Sequence, residues 1–84
     1  MDEYWIQAAA FTSRARADDL QRELAQKGLS TIIIVKELDG ISWYRVRIGP
    51  YKNNSDAKAW LEKIRLVSGC QEAYISRQTV SRGS

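Results

Sequence analysis

Eighty-four residues, 44% apolar and 27% charged, fit a single small globular domain and exclude global disorder. The formal charge of +3 falls to +1 without Arg77 and Arg82, both in the last eight residues, so the body lacks the basic footprint of a phosphate binder. One cysteine, Cys70, and no histidine rule out an internal disulfide and any Cys/His metal centre, and the carboxylates show no calcium-loop spacing.

The run Tyr4 to Phe11 reads as a first strand that delivers the chain to Thr12-Ser13, a pair able to cap a helix. Arg14 to Gln26 then carries Ala17, Leu20, Leu24 and Ala25 at the spacing of one buried helical stripe. Asp18 and Asp19 are expected in its early turns and Lys27 near its end, as the helix dipole prefers, with Gly28 as the stop. Ser30 to Lys36 is β-branched and predicts a second strand, and Asp39-Gly40 predicts a tight turn into a third, Ile41 to Ile48. Gly49-Pro50 is expected to end that strand, because proline donates no ladder hydrogen bond.

Asn53-Asn54-Ser55 offers caps for a second helix, Asp56 to Val67, with Ala57, Leu61 and Ile64 inward and Gly69 closing it. Glu72 to Ser76 predicts a short last strand. The domain is therefore expected over residues 1–76, with residues 77–84 a disordered polar tail. The longest apolar run, Ile32 to Val35, is far too short to span a membrane, and the opening Met1-Asp2-Glu3-Tyr4 is not that of a signal peptide.

The order βαββαβ predicts an α+β, ferredoxin-like (RNP-like) fold, a four-stranded antiparallel sheet with both helices on one face. The first and third strands would then lie side by side at its centre. The other face has no helix to cover it, so function is expected there. On the third strand Tyr44, Val46 and Ile48 alternate with Trp43, Arg45 and Arg47. A strand has a side-chain period of two, so the first set can enter a core while the second stays outside. An indole flanked by guanidiniums on an open face has the character of a binding surface.

Taken together, Ile6-Gln7-Ala8-Ala9-Ala10-Phe11, then Ala17, Leu20, Leu24 and Gly28, then Trp43 through Tyr51, then Ala57 and Leu61 resemble the SPOR domain. The resemblance covers roughly residues 4 to 76. SPOR domains are peptidoglycan-binding modules of bacterial division proteins, lytic enzymes and spore-cortex amidases. Their members commonly open with a Val-Gln-x-Gly-Ser/Ala-Phe motif. Gln7 and Phe11 fit it, while Ala9 stands where glycine is usual and Ala10 where serine is frequent. Where some relatives pair cysteines between the first and last strands, this chain has Ala8 and Ala73, leaving Cys70 a lone loop thiol. The resemblance implies binding to denuded glycan, the sugar strand left when amidases strip the stem peptides. It also implies placement in the bacterial envelope, on the periplasmic or extracellular side, at septal or remodelling wall.

On that reading Gln7, Trp43 and Arg45 form the glycan site. An indole stacks on the C–H face of a pyranose, while the guanidinium and amide serve hydroxyl and acetamido groups. Arg47 shares the parity of Arg45 and is expected in a supporting role. Trp5 either extends the platform or lids the core. Ile32 and Ile34 form a hydrophobic wall or a dimer contact, or are simply crowded by neighbouring stems. Tyr74 adds an outward aromatic if Ile75 faces the core. Neither cofactor nor metal is expected, nor nucleic acid, nor membrane contact by this segment, and the domain is expected to be monomeric. An RNA-binding reading shares the architecture but lacks the Lys/Arg-Gly-aromatic run on the third strand. A catalytic reading lacks a nucleophile–base pair, although a parent protein could be a wall hydrolase. A protein–protein adaptor using the same face stays open.

Overall fold

Residues 1–80 are described by a computed structural model of the chain. The elements follow the expected order: β1 (Asp2–Phe11), α1 (Arg14–Gln26), β2 (Thr31–Leu38), β3 (Ile41–Tyr51), α2 (Asn54–Ile64) and β4 (Tyr74–Thr79). The strands form one antiparallel sheet in the order β2-β3-β1-β4, which puts β1 and β3 at its centre. Both helices pack on one face. Ile6 and Ala8 of β1 and Val46 and Ile48 of β3 meet Ala17, Leu20 and Leu24 of α1 and Ala57 and Ile64 of α2 in a single core. Each large aliphatic side chain buried there contributes about 1.5–3 kcal/mol.

Local chemistry sets the boundaries. The Ser13 hydroxyl accepts from the Arg16 N–H at 3.3 Å and opens α1. The helix closes with the Gly28 N–H bonded to the Ala25 carbonyl (2.9 Å) and the Leu29 N–H to the Leu24 carbonyl (3.1 Å), a Schellman arrangement. Asp18 and Asp19 lie beyond the first turn, so they serve the helix dipole less than expected. They pair instead with Arg14 and Arg22 on the exposed surface. Asp39 and Gly40 both have positive φ (52° and 79°), the requirement of a two-residue type I′ hairpin, and Leu38 faces Ile41 across it.

Three expected boundaries move. The strand expected to stop at Gly49-Pro50 continues to Tyr51, which pairs with Tyr4. Between the pairs Tyr4–Tyr51 and Ile6–Ile48, β3 carries one residue more than β1. This bulge accommodates the proline without loss of a ladder bond. The second helix starts at Asn54 and ends at Ile64, not at Val67. Asn53 caps it through the Asp56 N–H at 2.8 Å. After Ile64 the chain runs in tight turns, with the Val67 N–H on the Ile64 carbonyl (3.0 Å) and the Cys70 N–H on the Val67 carbonyl (3.0 Å). These turns lower Val67, Cys70 and Ala73 into the core, so Cys70 is a core residue and not a loose loop thiol.

The last correction concerns the tail. β4 starts at Tyr74 and runs through Thr79, with Arg77, Gln78 and Thr79 paired to Tyr4, Glu3 and Asp2. The Val80 N–H also reaches the Met1 carbonyl at 2.8 Å. Residues 77–80, expected in a disordered tail, therefore extend the sheet because the first residues of β1 supply a partner edge. Residues 81–84 of that expected tail lie outside the described residues. Among the described residues no helix is long and apolar enough to cross a membrane.

Candidate functional site on the open sheet face

The open face is built by the residues that alternate with the core set. Strand register fixes which of them are neighbours, because directly opposed residues of an antiparallel pair share a face. One row crosses the whole sheet: Tyr74 of β4 opposes Gln7 of β1, Gln7 opposes Arg47 of β3, and Arg47 opposes Ile32 of β2. The next row holds Ala10, Arg45 and Ile34. Trp43 opposes Lys36 one row further on. On the other side of the Gln7 row, Trp5 opposes Ser76. All eight candidates — Gln7, Trp43, Arg45, Trp5, Ile32, Ile34, Arg47 and Tyr74 — thus share the face that the helices leave uncovered.

Their grouping differs from the expected one. The arginine beside Gln7 is Arg47, whereas Arg45 stands opposite Ala10. The last pair between β1 and β3 is Phe11–Tyr44, so Trp43 lies past the end of β1, on a two-stranded extension of the β2–β3 hairpin. It is four residues from Arg47 along β3, roughly 13 Å at strand rise. Trp43 and Gln7 are therefore well separated along an elongated surface, with Trp5 beyond Gln7.

A second bulge makes this possible. Between the pairs Gln7–Arg47 and Ala9–Val46, β1 carries one extra residue, Ala8, with no partner on β3. Ala8 and Ala9 both turn toward the core, Ala10 returns to the open face, and Phe11 packs against the core. An uninterrupted alternation from Ile6 would have put Phe11 outside. With the small Ala10 opposite it, Arg45 has room above the sheet.

Arg47 is the most constrained polar group on this face. Its guanidinium carbon stands 4.9 Å from the centroid of the Trp5 ring, a cation–π contact. Its Nε is shielded from water and has no hydrogen-bond acceptor. The Trp5 indole N–H donates to the Glu3 carboxylate at 3.4 Å. Gly49 makes this arrangement possible: it holds φ at 141°, and a Cβ there would stand 3.2 Å from the Trp5 ring and 3.1 Å from the Tyr4 carbonyl oxygen. Trp5 is therefore seated on the open face and is not a lid of the core.

Beside this row lies a groove of about 320 Å³, lined by Gln7 to Phe11 of β1, Tyr74 at the start of β4, and Gly69 and Glu72 of the preceding loop. It exists because β4 pairs with β1 only as far as Gln7. Tyr74, 50% exposed, stands at its rim. Sequence reasoning missed two residues of the surface. Lys36, opposite Trp43, was legible from its shared parity with Ile32 and Ile34. Glu72 comes from a loop with no periodicity to place it.

The SPOR domain family matches residues 2–76. No curated protein sequence matches the chain. Among solved structures, the peptidoglycan-binding domain of the Bacillus subtilis cell wall lytic enzyme CwlC is similar at 25% identity, with a TM-score of 0.73 over 94% of this chain and 92% of that one. The SPOR domain of RlpA from Pseudomonas aeruginosa has the same fold at 21% identity, with a TM-score of 0.78 over 89% of this chain and 99% of that one. With its sheet order, its uncovered face and a family match over nearly its whole described length, the chain belongs to the SPOR domain family, a family of binding rather than catalytic domains.

Proposed function

We propose that this domain binds peptidoglycan through the open face of its sheet, and that it recognises glycan strands stripped of their stem peptides. The observation that carries the reading is the row Tyr74–Gln7–Arg47, continued by Arg45 and Trp43, on one uncovered face of a SPOR domain. The likeness to the peptidoglycan-binding domain of CwlC supports it.

A polymer needs a long, shallow surface with repeated contacts, and this face supplies one. Trp43 offers a rigid stacking platform at one end, and Trp5 under Arg47 a second toward the other. Gln7 both donates and accepts, and the arginines donate, which suits hydroxyl and acetamido oxygens. Aromatic stacking grips any sugar of the chain, while the polar row orients it. The domain acts as a monomeric address that brings a parent protein to septal or remodelling wall in the bacterial envelope.

Pull-down with sacculi, before and after amidase digestion, tests this. Binding should rise when the stem peptides are removed. Equal or weaker binding to the amidase-treated wall overturns the denuded-glycan reading, and binding to neither overturns the peptidoglycan reading as a whole.

A further inference from the structure

We propose that Arg47, with Arg45 beside it, reads the free lactyl carboxylate that each muramic acid residue acquires when its stem peptide is removed. The inference rests on the glycan reading above and names what distinguishes a denuded strand chemically. Hydrolysis of the lactyl amide consumes one water, releases the peptide as an amine and leaves a carboxylate on the sugar. Substituted muramic acid has a neutral amide at that position. The stripped one has an anion.

The open face is prepared for an anion. The charged residues that its strands present are Lys36, Arg45 and Arg47 against one acid, Glu3, which already accepts from the Trp5 indole, while a second acid, Glu72, lines the groove at its β4 side. Among the described residues the ion pairs involve Arg14, Arg22 and Arg77, and none of the three open-face cations. The rest of the chain is close to electrical balance, so this cluster is a local feature and not a symptom of a basic protein.

Arg47 carries the strongest sign. Its Nε is shut off from water without an acceptor, a costly placement that fixes the guanidinium in one orientation over Trp5. A carboxylate engages a guanidinium edge with two parallel hydrogen bonds, and with Nε turned away from water the edge of the two terminal nitrogens is the one a ligand can meet. Stacking on Trp5 holds the guanidinium plane in place before a ligand arrives. Arg45 lies two residues along the same face, roughly 6.6 Å away at strand rise, and offers a second fork on the same strand. Neutral sugar groups alone would be served as well by Gln, Asn or Tyr, without the mutual repulsion of like charges.

The test uses wild-type domain and two preparations of one glycan. Strands from amidase-digested sacculi are compared with the same strands after carbodiimide coupling to methylamine, which turns the lactyl carboxylates into neutral amides. The neutralised strands should bind about tenfold more weakly, the loss of one charge-assisted pair. Arg47→Gln should abolish that difference by lowering affinity for the untreated strands alone, and Arg47→Lys should restore part of it. Equal wild-type affinity for both preparations overturns the carboxylate inference while leaving glycan binding intact. Failure to bind either one overturns the glycan reading and this inference together. The wild-type comparison does not depend on how the variants fold.

Discussion

The two faces of this sheet are made by the same four strands and share almost no chemistry. On the covered face Ile6, Val46 and Ile48 are fully buried, and Ile33, Ile75 and Tyr44 pack around them. On the open face stand two indoles, two guanidiniums, an amide and a phenol, none fully buried. Alternation along one backbone thus separates two tasks. The inward residues provide the hydrophobic stabilisation, and the outward ones need only avoid destabilising the sheet. They manage this by covering one another, as Arg47 does over Trp5. Fold and recognition should therefore respond separately to substitution.

The covered face should show the largest effect. Ile48→Ala should lower the unfolding free energy by about 2–5 kcal/mol, the range for a large-to-small change in a packed core, measured by urea denaturation. On the open face, Trp43→Ala should reduce affinity for amidase-treated glycan by about tenfold or more while shifting stability by no more than ~1 kcal/mol. If Trp43→Ala unfolds the domain instead, the two faces are not separable.

The smallest effect tests how well the covered side excludes water. Burial, with a lesser contribution from the nearby Glu23 carboxylate, pushes the Cys70 thiol up to about 11. The folded state holds this proton where the unfolded chain has already released it. Its contribution to stability is thus complete below the ordinary thiol range and is lost as pH rises from there toward about 11. The urea midpoint should fall over that window, and less steeply in Cys70→Ala than in the wild type. Equal slopes would mean that the thiol is hydrated in the fold.

Most of the architecture was legible because each element carried its own signal. The Leu20–Leu24 stripe, the Asp39-Gly40 turn and the alternation from Trp43 to Ile48 each reported on local geometry, and the open-face membership of all eight candidates followed from parity alone. What escaped depended on pairing between distant segments. The last residues of β4 look like a polar tail because the edge that orders them, Asp2 to Tyr4, is far away in sequence. Arg47 looked peripheral because neighbours across a sheet depend on register, and the Ala8 bulge moves the register by one. A clue to that bulge was present: Ile6 and Phe11 are both apolar but five positions apart, so strict alternation cannot bury both.

The extra residue at Ala8 also makes β1 a strand whose two halves are out of phase. Its identity matters little beyond being small, because it has no partner on β3. Strict alternation from Ile6 at the same length would turn Phe11 out into water and Ala10 in against the core, whereas loss of Ala8 itself would make the pairs Gln7–Arg47 and Ala9–Val46 consecutive and leave Phe11 inside. This part of the domain can therefore give up the bulged residue, but it cannot slip against β3 by one position. Descendants of this sequence can be expected to keep Phe11 opposite Tyr44, whether or not the extra residue between Gln7 and Ala9 persists.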